Sequence, residues 1–385
     1  MEDGGQNVDL PPEIMHDIFS RLPPKSLCRF KCVSKPWRSM ISDHVFVAKY
    51  NKDVSRRRRL MLTSVESTDH WLYCLDLNKF IYENHNDDVG GSTAAPSELD
   101  FVYNQLPYGG LDFVPSTHYS YHGLFFSHYC SGCFRFSLID YETKESEYLP
   151  DAKIRRLTIE PGFDYWHLYG VGLFDYSTNG YKVIKGQQYN GVVFSVYTWN
   201  PTCSGPRRKI EHLFPYRVLR SHGGHGILVN GEVHWLATKK VGQESLVMII
   251  SIILAEEKVR EIAIPPNAPT GSIELGAFRD WLCITSAGYG TCNEFWVMKE
   301  YGVRESWTKM QVSIPYYRLS HSGFWTDTHD LMVFDRSSFI MYNFSVGKFW
   351  TLPIGNVGDI ISTGVYMETL PTSTLSIKNN IFQGR

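Results

Sequence analysis

From Leu60 to Leu370 the sequence keeps returning to one cadence, and this limits the available folds more than any other feature. A strand-like run ends in a polar turn, a charged run follows, and the unit closes on an apolar residue and a proline. It occurs at Leu138 to Pro150 (LIDYETKESEYLP), Val196 to Pro215, Ile252 to Pro265 (IILAEEKVREIAIP), Phe295 to Pro315 and Tyr342 to Pro353 (YNFSVGKFWTLP). A degenerate copy closes at Leu106-Pro107. The closing prolines recur about every 50 residues. Between them a turn leads into an aromatic strand, as in Tyr121-His122-Gly123-Leu124, Asn230-Gly231 through Trp235-Leu236, and Asp280-Trp281-Leu282-Cys283.

These runs are β-branched and aromatic, and none carries a continuous helical stripe. A period of about 40 to 50 residues with about four strands per unit is the signature of β-propeller blades, each leaving an apolar face that only its neighbour covers. The expected fold is therefore mainly β: a propeller-like body of about six blades. A β-sandwich or a split barrel with insertions is the competing architecture. The polar stretch Glu83 to Glu98 and the tail after Pro371 are least like a blade.

Leu10 to Tyr50 follows a different period. Pro11 and Pro12 suit the first turn of a helix, with Glu13 near its positive end. Ile14, Ile18 and Leu22 recur every four residues beside Met15 and Phe19, one wide apolar stripe. Pro23 and Pro24 end that helix. A second follows with Leu27, Phe30 and Val33, and Pro36 opens a third with Trp37, Met40 and Ile41. Three short helices provide little core of their own, so their apolar faces call for the body or another protein to cover them.

The residues of this segment carry a resemblance. Leu-Pro-x-Glu-Ile at Leu10 to Ile14, Ile18 to Pro23, Lys25-Ser26-Leu27, Arg29 to Lys35 and Trp37-Arg38 together resemble the F-box motif, in order and without gaps. Pro24 and His44 depart from the usual pattern, both at helix junctions. The resemblance implies docking to a Skp-type adaptor, and through it to a cullin scaffold and a RING ubiquitin ligase. The implied adaptor contacts are Leu10, Pro11, Ile14, Ile18, Leu22, Pro23, Leu27, Val33 and Trp37, with Trp37 and Leu22 as first anchors. An interface of roughly 1,200–2,000 Å² would hide them. The body resembles the F-box-associated domain, a kelch-like module found mainly in large plant families. The matching residues are Tyr121 to Leu124, Trp199-Asn200-Pro201-Thr202, Asn230 to Leu236 and Tyr366 to Leu370. The expected domains are an F-box at 8–50, a linker at 51–60, the β body at 61–370 and a tail at 371–385.

Composition narrows the partners. The chain has 385 residues, with 38 basic against 40 acidic side chains, so no general field draws nucleic acid or an anionic membrane. Arg56 to Arg59 reads as a solvated linker or strand edge, with nuclear import as the alternative. Eight cysteines and an acidic, polar N-terminus (MEDGGQNVD) point to a reducing compartment, cytoplasm or nucleus, with no signal peptide. The longest apolar run, Leu246 to Leu254, is about half a membrane span and reads as a strand buried on both faces.

Candidate chemistry is sparse. Cys130-Ser131-Gly132-Cys133 lacks a second pair of zinc ligands and a βαβ context, so it reads as a tight turn. Ser221 to Gly226 lacks the Gly-Lys-Ser/Thr ending of a phosphate loop. No HExxH or GxSxG occurs. No catalytic residue, metal or cofactor is expected. The expected function is a non-enzymatic substrate receptor of an SCF-type ubiquitin ligase, which acts by holding a target protein near the conjugating enzyme. Tyr165, Trp166, His222 and His225 are the candidate target contacts. The alternatives are a kelch-type propeller enzyme and an F-box scaffold working outside the ligase.

Overall fold

Proline placement divides the N-terminal stretch into helices in this computed structural model. It describes residues 10–52, 58–66, 69–76, 97–98, 116–120, 123–130, 133–140, 145–148, 166–175, 180–188, 190–199, 208–219, 226–268, 273–286, 292–316, 320–325, 329–333, 338–355 and 357–367. Helices α1 (Pro12–Ser20) and α2 (Pro24–Phe30) each hold a proline in the first turn, where its missing N–H costs no intrahelical bond. Helix α3 (Lys35–Ser42) starts from Ser34, whose Oγ accepts from the Trp37 N–H at 3.3 Å. A fourth helix, α4 (His44–Lys52), joins the three expected. Asp43 caps it, Oδ1 accepting from the Val45 and Phe46 N–H groups, each at 3.0 Å. Its β-branched Val45 and Val47 and short apolar period hide it in the sequence.

These helices enclose a core of their own. Phe19, Leu27, Ile41, Phe46, Val47 and Tyr50 are buried together, and half of them come from α4. The expectation counted three helices; the fourth adds half of this buried set.

The chain divides into two compact units, Met1–Arg58 with Met367–Arg385, and Arg59–Tyr366. The second holds six sheets. Sheet 1 contains β1 (Arg58–Glu66), β2 (Asp69–Asp76) and β3 (Ser97–Glu98). Sheet 2 contains β4 (Ser116–Ser120), β5 (Gly123–Cys130), β6 (Cys133–Asp140) and β7 (Glu145–Tyr148). Sheet 3 contains β8 (Trp166–Asp175), β9 (Gly180–Gln188), β10 (Val192–Trp199) and β11 (Arg208–Phe214). In sheet 4, β12 (Tyr216–Val218) and β13 (Ile227–Val229) both pair with β14 (Glu232–Val241), followed by β15 (Glu244–Ile253) and β16 (Lys258–Ile262). Sheet 5 contains β17 (Ile273–Phe278), β18 (Trp281–Ser286), β19 (Cys292–Met298) and β20 (Trp307–Tyr316). Sheet 6 contains β21 (Ser320–Trp325), β22 (Asp330–Val333), β23 (Ser338–Asn343) and β24 (Lys348–Pro353).

The last strand, β25 (Asp359–Met367), pairs with β1, so both ends of the body build sheet 1. The leading strands neighbour one another in turn: β4 beside β8, β8 beside β13, β13 beside β17 and β17 beside β21. That arrangement is compatible with a six-bladed propeller. The prolines of the cadence mark strand ends: Pro215 follows β11, Pro353 ends β24 and Pro315 is next to last in β20. Proline cannot donate to a ladder, which confines it to edges and ends.

Apolar seams join neighbouring sheets. Leu168, Ile184 and Phe194 of sheet 3 meet Val233, Trp235, Ile250 and Ile252 of sheet 4. On the opposite face Leu236, Ile249 and Ile262 meet Leu275, Ile284 and Trp296 of sheet 5. A methyl group at Gly170 would stand 2.5 Å from Val233 Cγ1, so only glycine lets β8 approach this closely. Asn230 and Gly231, both at positive φ (50° and 73°), make the two-residue turn into β14.

Polar clips reinforce the seams. Arg279, in the turn after β17, holds Asp330 of sheet 6 with two hydrogen bonds of 2.9 and 2.7 Å. Lys182 of β9 pairs with Glu257 beyond β15.

Candidate protein-docking face

The wide stripe of α1 divides into two. Met15 and Phe19 turn inward onto the helical core. Leu10, Ile14 and Ile18 face outward, 50%, 47% and 39% exposed. A step of one residue turns a helix by about 100°, so these two rows lie side by side. Val33, just beyond α2, is 62% exposed, and Val45 of α4 is 61% exposed. Pro11 and Pro23 are also exposed.

The other expected contacts lie deeper. Leu27 is fully buried. Leu22 and Trp37 are half-buried against the core, and the Trp37 ring stands 5.3 Å from Phe19 and 5.2 Å from Phe30. These aromatics fix the spacing of α1, α2 and α3. The outward row is thus carried on a rigid base.

Hydrogen bonds hold the base in register. Tyr50 Oη donates to the Leu22 carbonyl at 2.6 Å, tying α4 to the end of α1. Arg38 Nε donates to the Lys31 carbonyl at 3.2 Å, satisfying the end of α2. Burial, foremost, holds the Lys31 ammonium below the ordinary lysine pKa. The Arg21–Asp17 pair is exposed and contributes little.

Of the four candidate target contacts, Tyr165, His222 and His225 lie outside the described residues, and Trp166 opens β8 opposite Gln188. Cys130 and Cys133 stand directly opposite each other in the β5–β6 register, while Ser131 and Gly132 lie outside the described residues. Among the described residues no group of three or more His, Cys, Asp or Glu is placed to hold a metal, and no helix is long and apolar enough to cross a membrane.

One polar cluster escaped the sequence reading. His234 of β14 is fully buried, its Nδ1 at 3.0 Å from the Ile227 carbonyl and its Nε2 at 2.6 Å from Tyr301 Oη. The carbonyl only accepts, so Nδ1 carries the proton and Nε2 accepts from the tyrosine. Burial pushes the His234 pKa down to about 4. Beside it Glu232 accepts from Ser251 Oγ at 2.6 Å and pairs with Arg260 at 3.0 Å. Burial and that carboxylate raise the Tyr301 pKa. The alternation Glu232-Val-His234 was the available signal, hidden inside a turn-and-strand motif. With His234 and Ser251 at zero exposure, the cluster joins sheets 4 and 5 from within, and its Arg260 reaches the surface.

The F-box domain model matches residues 8–49, the stretch that forms the helical unit. The relatives that align along most of the chain are F-box and F-box/kelch-repeat proteins of Arabidopsis thaliana. The F-box/kelch-repeat protein At3g23880 is 28% identical over 94% of this chain and 95% of its own. The F-box protein CPR1 is 26% identical over 78% of this chain and 72% of its own. Among solved structures, a DUF4784 family protein from Bacteroides caccae aligns with a TM-score of 0.40 at 11% identity, covering 81% of this chain and 74% of that one.

Proposed function

We propose that the chain is the substrate-recognition subunit of an SCF-type ubiquitin ligase. Its helices dock a Skp-type adaptor, and its β body binds a protein to be ubiquitinated. The observation that supports this most is the row Leu10, Ile14 and Ile18, left exposed by a helical unit that has already filled its own core. Such a row is costly to keep in water, which supports reading it as a docking surface. In this reading Leu10, Pro11, Ile14, Ile18, Pro23 and Val33 make the contacts, while Leu22, Leu27 and Trp37 support them from beneath.

In this reading the chain supplies proximity in place of bond chemistry. A target held beside a charged conjugating enzyme reacts as if intramolecularly. The chain would act in the cytoplasm or nucleus.

The test is reconstitution from purified full-length chain, Skp-type adaptor and cullin on a sizing column. The chain is expected to enter the cullin complex only when the adaptor is present. A chain that binds cullin without the adaptor, or ignores both, overturns the reading.

A further inference from the structure

Among the described residues, part of β15 in sheet 4 is left as an open strand edge. β15 pairs with β14 along its whole length without a bulge, from Val241↔Glu244 to Glu232↔Ile253. β16 covers only Ile249 to Ile253 of it. The chain then leaves the sheet, and the Ala263 carbonyl accepts from Trp307 Nε1 of sheet 5 at 2.9 Å. Among the described residues no strand lies along the outer side of residues 244–248. The run expected to be buried on both faces is so from Met248 to Ile252, yet Leu246 is 54% exposed and Val241, across the hairpin tip, 57%.

The backbone defines what this edge can take. Gly242 and Gln243 form a two-residue turn, which makes Val241 and Glu244 a hydrogen-bonded pair. The antiparallel alternation then turns the N–H and C=O groups of Ser245 and Val247 outward, in line with those that Ile249 gives to β16. Sheet edges are commonly guarded by lysine, proline or a bulge. Residues 245–248 (Ser-Leu-Val-Met) contain none of these. Glu244 makes no ion pair among the described residues, and its side chain shares a face with Leu246, two residues on.

We propose that this edge accepts an extended peptide segment of a partner protein as an added strand in line with β16. The segment carries a basic residue opposite Glu244 and an apolar residue opposite Leu246. Outward amides and carbonyls at strand spacing are satisfied by another extended backbone, and the unpaired carboxylate sets the charge of the occupant. The proposal rests on the reading of the β body as the target-binding half.

The probe is a fluorescein-labelled synthetic peptide, Ser-Thr-Ile-Thr-Lys-Thr-Ser, whose Ile precedes Lys as an antiparallel strand requires, with a version carrying Glu for Lys, titrated against the full chain by fluorescence anisotropy. The wild type is expected to prefer the Lys peptide. Ser245→Pro removes one outward N–H at an exposed position and weakens binding about tenfold. Glu244→Lys reverses the preference toward the Glu peptide. No binding by the wild type, equal binding by Ser245→Pro, or an unchanged preference in Glu244→Lys overturns the proposal. So does a concentration-dependent dimer that Ser245→Pro abolishes, since a second copy then fills the edge. Adaptor capture by the same variants, expected at wild-type level, separates failure here from failure of helical docking.

Discussion

His234 shows how one side chain sets a property of the whole β body. Its pKa falls from the ordinary 6.5 to about 4 on folding. Between those values the unfolded chain binds a proton that the folded chain refuses, so stability drops as pH falls through this window. From pH 7 to pH 5 the loss is about 2 kcal/mol. Urea unfolding at the two pH values, for wild type and His234→Gln, checks it: the variant is expected to lose less. An equal loss in both removes His234 from the account. In the helical unit, Leu27→Ala empties a fully buried site and costs about 3 kcal/mol, read as a fall in the urea midpoint. The Leu27 side chain was legible in sequence as apolar and helical. Its direction was not, because the apolar period cannot separate the inner row from the outer when both lie on one stripe.

Among the elements, α4 and the sheet seams carry the lesson of what sequence can show. The four-residue spacing of Ile14, Ile18 and Leu22 and the two prolines at Pro23 and Pro24 were enough to locate α1 and α2. Helix α4 had no such period, yet it brings Phe46, Val47 and Tyr50 to the core. The proline-closed cadence marked the outer strands because proline tolerates only an edge or an end. Pairings between sheets left no such trace: Arg279 and Asp330 lie 51 positions apart and join only in space. Asp330 is fully buried while Arg279 is partly exposed, so Arg279→Ala removes a charge-assisted partner at a cost of about 2 kcal/mol. Thermal unfolding is expected to show a lowered midpoint, and an unchanged one would mean that the clip contributes nothing at the seam.

At the scale of the molecule, two units divide the work by what each leaves exposed. The helices bury a small core and present an apolar row. The β body closes its first sheet with its last strand and buries His234 and Ser251 of its polar cluster, and among the described residues no strand lies along the outer side of residues 244–248 of β15. The central claim is that the outward row of α1 is the docking face, and that Leu22, Leu27 and Trp37 only support it. Isothermal titration of purified Skp-type adaptor into the full chain tests this most directly, with Ile14→Asp and Ile18→Asp combined and helix content followed by circular dichroism. The account predicts unchanged helix content and at least a hundredfold weaker binding, roughly the loss of two anchors. Wild-type affinity in the doubly substituted chain would contradict it.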